Sequence, residues 1–236
     1  MTTTAPTTAS RPDPVGTSRQ GLGPLVALHA LFLAGGAVAL ALDPPAQGWG
    51  VLACVAAYAV GLPLVCRATG RDDLGALAVF LLLVSVWQVL PDWVLVDLVG
   101  TLRFPDTGGL RVDDAIPLAM AGMWLAPLFV ALALSGGRPG RAAVLAAAVF
   151  AGAELLAPVL DLWEPVGDTA RVLGVAVYVV PAEAALGWAA ATAFALVRGR
   201  ALPVQAGAAL AVSTLYLGAL VLAHFLVDVA GWRLTV

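Results

Sequence analysis

Residues 142–197 read AAVLAAAVFAGAELLAPVLDLWEPVGDTARVLGVAVYVVPAEAALGWAAATAFALV, two long apolar runs joined by one short polar connection. Each run is long enough to cross a bilayer as a helix, which takes about 20 apolar residues. Each also carries one acid, Glu154 in the first and Glu183 in the second; Glu164, the third and last glutamate of the chain, lies in the connection. A carboxyl group in hydrocarbon costs about 2.5–3.5 kcal/mol on insertion scales, so it faces the bundle interior, where it is paired, protonated or working. A protonated carboxyl in an apolar interior is a proton donor. Proton-donor chemistry on an apolar substrate is therefore the first function these residues point to.

Five further stretches of the same kind run near 24–42, 49–67, 74–98, 115–135 and 203–227, which with 142–161 and 171–197 makes seven. The chain has 236 residues, of which 61% are hydrophobic and only 11% charged, too few charges for an ordinary soluble domain. The expected fold is an all-α integral membrane bundle of seven transmembrane helices over residues 21–236. Residues 1–20, MTTTAPTTASRPDPVGTSRQ, are too polar for a signal peptide and are expected to be a disordered tail.

All twelve cations are arginine. With the alanine, glycine, valine and leucine bias, this points to a GC-rich bacterial genome. A chain without lysine also cannot form the Schiff base of a seven-helix retinal protein. Cys54 and Cys66 lie on one apolar stretch, about 18 Å apart along a helix, too far for a disulfide. A net charge of −3 says little about partners, and nothing points to nucleic acid. Arg11, Arg19, Arg67, Arg71, Arg138, Arg141, Arg198 and Arg200 fall on the tail and alternate loops, against Arg103, Arg111, Arg171 and Arg233 on the other side. That bias places the chain in the bacterial cell membrane with its N-terminus cytoplasmic and its C-terminus outside.

The central segments resemble each other. At an offset of 62, Asp92 falls on Glu154, and Asp106-Thr107 falls on Asp168-Thr169. With two more residues in the second block, Ile116-Pro117 meets Val180-Pro181 and Ala119 meets Glu183. Each block is an acid-bearing helix, a short loop and a proline-bearing helix that returns. Repeats of this kind often place a site at their interface near the midplane.

Pro91-Asp92-Trp93, Gly100 through Phe104, Ile116-Pro117-Leu118, Leu162-Trp163 and Pro181-Ala182-Glu183 together resemble the duplicated lycopene cyclase domain of bacterial and archaeal membrane carotenoid cyclases. Seven-helix fungal meroterpenoid cyclases and bacterial indole-terpenoid cyclases are related folds. The resemblance covers about residues 75–198. It implies a membrane enzyme that cyclises an isoprenoid by protonation, with no cofactor, no metal and no redox change. The carotenoid cyclases carry Pro-x-Glu-Glu in each repeat. Here the first repeat has Pro117-Leu118-Ala119-Met120, and in the second Ala184 follows Glu183. That departure leaves open another terpenoid substrate or a loss of the chemistry.

Such a cyclase needs a buried acid in contact with an alkene or epoxide, and a dry cavity that keeps the carbocation from water. It also needs aromatic faces to stabilise passing positive charge, and a base at the end. Glu183, two residues after the helix-disrupting Pro181, fits the acid. Glu154 is the other candidate, seven residues before Asp161 on nearly the same helix face, with Pro158 between them. Asp92 follows Pro91, with Gln88 one turn earlier as a hydrogen-bond partner; Asp92 or Asp161 would be the partner or quenching base. Trp124, Trp188, Tyr178 and Trp87 are the candidate substrate-lining aromatics, although Tyr178 and Trp188 each lie about 140° around a helix from Glu183. Other tryptophans suit an interfacial belt.

His29 and His224 read as packing residues, because no His/carboxylate cluster has metal spacing. Asp113-Asp114 reads as a helix start. Asp92 and Asp97 miss Asp-x-x-x-Asp spacing by one residue, which disfavours a diphosphate-ionising prenyltransferase. The leading expectation is thus a terpenoid cyclase acting on a lipid-soluble isoprenoid that enters from the membrane lipid. The alternatives are a carotenoid hydratase-type or carotenoid cyclase enzyme, and a non-enzymatic transporter or accessory protein with buried acids. An odd number of spans predicts that reporter fusions at the two termini give opposite signals; matching signals would mean an even count.

Overall fold

The computed structural model describes residues 22–230; the expected tail and Arg233 lie outside the described residues. The chain is mostly helical, in the order α1 (Leu22–Leu40), α2 (Ala46–Ala68), α3 (Asp72–Val99), α4 (Met120–Ser135), α5 (Pro139–Leu156), α6 (Val179–Val197) and α7 (Leu202–Val229). Six of these are long and apolar enough to cross a membrane, and α4 is shorter. The outward surface is apolar, with Leu31, Val38, Val144 and Leu196 exposed, while Ser85, Gln88, Asp92, Glu183 and Ser213 are buried. That is the distribution hydrocarbon demands of its solute.

The expected spans 115–135 and 171–197 both start later than their hydropathy suggests, because each opens with a hairpin. β2 (Arg111–Val112) pairs with β3 (Ile116–Pro117), and β5 (Arg171–Val172) pairs with β6 (Val175–Ala176). Asp113 and Asp114 both sit at φ 52°, in the first hairpin's turn, so they are not the helix start expected of them. Aspartate tolerates this left-handed region better than most residues. The second turn is tighter, with Leu173 at φ 54° and Gly174 at φ 87°, the two positive values a two-residue hairpin connection requires.

One further ladder ties the two loop systems together. β1 (Leu102–Arg103) runs antiparallel to β4 (Glu164–Pro165), with Leu102 opposite Pro165 and Arg103 opposite Glu164. The Arg103 guanidinium donates to the Glu164 carboxylate across the ladder. All the strands lie at one end of the bundle, and Asp228 near the end of α7 joins them by accepting the Ala170 N–H at 2.7 Å.

Proline sets the interruptions. A proline has no N–H, and its ring clashes with the carbonyl four residues back. Pro91 therefore breaks α3 near Gln88, and Pro127 breaks α4 at Trp124. Pro158 ends α5 at Leu156, short of the expected limit at residue 161. Small residues set the closest approach. Gly187 on α6 lies against Ala142 and Ala146 of α5, all buried, as the alanine-rich sequence of α5 leads one to expect. A Cβ at Gly187 would overlap Ala146 and sit 2.6 Å from the Ala142 carbonyl oxygen. Gly187→Leu is therefore expected to destabilise the bundle by at least about 1–3 kcal/mol through overpacking. Thermal unfolding in detergent reads this, with the exposed Gly152→Leu as the near-silent control.

Candidate functional site

Three helices bring one carboxyl each to the interior. Asp92 follows the Pro91 break in α3 and is 3% exposed. Its Oδ2 accepts the Trp124 indole N–H at 3.4 Å. Glu154 lies in the last turn of α5, and its Oε1 accepts the Trp163 indole N–H at 3.0 Å. Glu183, in the second turn of α6, is 1% exposed, and neither of its oxygens has a hydrogen-bond partner. Asp92 and Glu183 each lie within electrostatic reach of Glu154. Tyr216 of α7 lies within reach of all three. Trp124 stacks against Phe150 with ring centroids 5.0 Å apart, and against Tyr216 at 5.6 Å.

Two cavities meet at this cluster. Asp92, Glu154, Thr101, Tyr178 and Tyr216 line a small one of about 30 Å³. A much larger chamber of about 450 Å³ lies between α1, α2, α4 and α5, within the usual range of ligand sites, about 300–1,000 Å³. Met120, Trp124, Glu154 and Trp163 border both, so they form the partition. Among the described residues, Glu154 is the only carboxyl on the chamber wall, which is otherwise apolar except for His29, Cys54 and the two indoles. Leu33 and Leu156 on that wall are 69% and 57% exposed, so the chamber opens through the apolar flank of the bundle between α1 and the end of α5.

The sequence expectations meet different fates here. Trp124 and Tyr178 border the cavities, whereas Trp188 is 46% exposed on the outer flank of α6, and Trp87 packs against the core away from both. Asp161 does not share a helix face with Glu154. Because α5 stops at Leu156, Asp161 falls in the following turn, exposed at φ 54°, beside a cleft shared with Gln47 and Thr107. Gln88 does not hydrogen-bond the Asp92 carboxylate; its side-chain amide is buried without a partner. Pro181 lies in the first turn of α6, where the N–H has no intrahelical acceptor anyway, so it opens no gap in the helix. Trp124 and Glu183 each stand seven residues after the last strand residue of the preceding hairpin, Pro117 and Ala176.

Several contributors were not legible beforehand. Tyr216 comes from α7, outside the two similar blocks. His224 and His29, expected only to pack, each have a defined partner. His224 Nδ1 lies 2.9 Å from Asp228 Oδ2, a pair whose four-residue spacing on one helix was the available signal. The His224 ring meets Tyr178 edge-on at 5.2 Å, and the Tyr178 hydroxyl donates to Thr101 Oγ1 at 2.9 Å. The His29–Tyr58 contact spans 29 residues and depends on how α1 packs on α2.

The chain belongs to the family described as a domain of unknown function, DUF6989, whose model matches residues 89–227. The match takes in Asp92, Glu154, Glu183 and Tyr216, but not α1 and α2, which wall the far side of the chamber. No curated protein and no solved structure matches the chain.

A buried polar group without a partner costs about 1–3 kcal/mol. Glu183→Met, of similar length and apolar, is therefore expected to raise stability in detergent by about that amount. The check is thermal unfolding of the purified variant. A clear loss of stability would show that Glu183 has a structural partner the geometry does not reveal.

Proposed function

We propose that this protein is an integral membrane terpenoid cyclase that protonates a lipid-soluble isoprenoid and cyclises it without net redox change. The observation that carries the reading is the position of Glu154, the single carboxyl among the described residues on the wall of a large apolar chamber open to the lipid-facing flank. Trp163 holds Glu154 by Oε1, leaving Oε2 free to present a proton to the chamber. Transfer to an alkene forms a C–H bond and leaves a carbocation; transfer to an epoxide oxygen opens the ring to the same effect. Neighbouring π bonds then attack the cation in turn, while the faces of Trp124 and Phe150 stabilise it. The apolar wall keeps water from capturing the cation early. Asp92 lines the small cavity behind the partition, and Asp92 and Glu183 both interact electrostatically with Glu154.

The resemblance of residues 75–198 to the lycopene cyclase domain supports this reading. So do the two loop systems, which follow one order: acid-bearing helix, left-handed residue at Gly100 or Asp161, short strand, Asp-Thr, hairpin, returning helix. In that reading the helix pair is duplicated and α4 is the seventh span. The arginine bias then puts the N-terminus in the cytoplasm of a bacterial cell and the C-terminus outside.

A second reading has one observation in its favour. The cavity behind Glu154, about 30 Å³, has room for an ordered water, which needs about 10–15 Å³. A water held there favours a hydratase-type outcome, in which the cation is captured rather than cyclised.

Glu154→Gln keeps shape and hydrogen bonding but removes the proton. It is expected to lower turnover by at least about 100-fold, and Glu183→Gln to lower it less. Glu164→Gln, which loses only an exposed ion pair, is expected to be nearly silent. Membranes incubated with prenylated substrates and analysed by mass spectrometry give the answer. An isomer of unchanged mass supports the cyclase, and a product heavier by one water selects the hydratase. Full activity of both Gln variants would make the buried glutamates structural.

A further inference from the structure

A cleft at the strand-bearing end of the bundle holds polar side chains that the protein itself leaves without partners. It lies where the first turn of α2 meets the loop that carries Asp106-Thr107, and its volume is about 20 Å³. Glycine brings the two segments together. The Gly48 N–H donates to the Thr107 carbonyl at 3.0 Å, and a Cβ at Gly48 would overlap the Gly108 carbonyl. Gly108 sits at φ 79°, a conformation that suits glycine. Beside this contact stands Gln47, 7% exposed, whose side-chain amide hydrogen-bonds no described residue. Buried amides in folded proteins nearly always have a partner, so one that faces a cleft without any is a group for a ligand to meet. Thr107, half-buried, and Asp161, exposed, line the same cleft, and their side chains likewise hydrogen-bond no described residue.

The cleft adjoins the chamber. Leu40, Val51, Met120, Met123 and Leu162 border both, so the two spaces share an apolar wall. Two of these residues are methionines, whose unbranched thioether chains adapt to what passes them. Leu162 precedes Trp163, whose indole holds Glu154, so the cleft lies at the acid's end of the chamber. Size and charge limit what it accepts. A water needs about 10–15 Å³ of such space, so a cleft of about 20 Å³ admits a group of hydroxyl size. A hydroxyl both donates and accepts, as do the Gln47 amide and the Thr107 hydroxyl, while the Asp161 carboxylate accepts. Among the described residues no basic side chain borders the cleft, so nothing on its wall pairs with a phosphate, and Asp161 repels one.

We infer that the protein binds a neutral, amphipathic isoprenoid whose hydroxyl head hydrogen-bonds Gln47 and Thr107 in the cleft and whose hydrocarbon tail lies in the chamber. The inference deepens the cyclase reading and rests on it for the isoprenoid nature of the tail alone. The head, held at the acid's end, sets which double bond of the chain meets Glu154.

The test titrates purified protein in detergent with four probes: geranylgeraniol, the hydrocarbon that lacks its hydroxyl, geranylgeranyl phosphate and octadecan-1-ol. Quenching of tryptophan fluorescence reads binding, since Trp124 and Trp163 stand on the chamber wall. Each variant is compared with wild type on the same probe, so partitioning into micelles cancels. Gln47→Leu is expected to weaken geranylgeraniol about 10-fold, the scale of one well-made hydrogen bond, and to leave the hydrocarbon and the phosphate unchanged. Thr107→Val is expected to act in the same direction but less, and it decides the matter if Gln47→Leu does not fold. Folded variants that bind geranylgeraniol as the wild type does overturn the head site, and the cyclase reading then stands or falls separately on turnover by Glu154→Gln. A phosphate weakened as much as the alcohol overturns the neutral head. Octadecan-1-ol bound as tightly as geranylgeraniol, and equally sensitive to Gln47→Leu, overturns the isoprenoid tail and makes the ligand a membrane-lipid alcohol.

Discussion

Asp92, Glu154 and Glu183 share the interior of a bundle whose outer surface is leucine, valine and alanine. Moving any of them to that surface would place a carboxyl against hydrocarbon, at a cost larger than most single packing interactions. This constraint fixes how α3, α5 and α6 are rotated about their axes, and the rest of the core follows. Once the acids face inward, the indoles of Trp124 and Trp163 have acceptors, and Tyr216 is drawn into the same cluster.

The cluster is held from two directions. Within the membrane, the small residues of α5 and α6 allow close approach, with Gly187 against Ala142 and Ala146. At the strand-bearing end, the β1–β4 ladder joins the loop after α3 to the loop after α5, and Trp163 sits immediately before β4. The partition between the two cavities is therefore anchored by backbone pairing. Under the cyclase reading, rigid support of this kind keeps Glu154 within the tight tolerance that proton transfer demands.

The two sides of the partition differ in chemistry. Toward α3, α6 and α7 the small cavity mixes apolar side chains such as Leu95 and Phe104 with Asp92, Thr101, Tyr178 and Tyr216, and Glu183 is buried on α6. Toward α1 and α2 the side chains are almost all apolar. The family match begins at residue 89, so the polar side lies inside it, while α1 and α2 lie outside. Under the cyclase reading, the shared part of the chain supplies the acid and the remaining helices shape the space for substrate.

The sequence by itself determined the helical membrane architecture, because runs of about 20 apolar residues have few other stable states. It also singled out Asp92, Glu154 and Glu183, because an acid inside such a run must be accommodated. Asp106-Thr107 and Asp168-Thr169 each precede a hairpin. What the sequence left open depended on contacts between distant segments. Hydropathy does not distinguish a short buried hairpin from the start of a helix, so the beginnings of α4 and α6 were set too early. The effect of Pro158 on Asp161 needed the actual end of α5. Which aromatics line a cavity depended on helix rotation: Trp188 turned outward and Trp124 inward, though both lie in apolar runs. The chamber itself, with Glu154 and His29 on its wall, is a space between four helices. No local pattern encodes such a space, because it exists only where α1 and α2 face α4 and α5 across it.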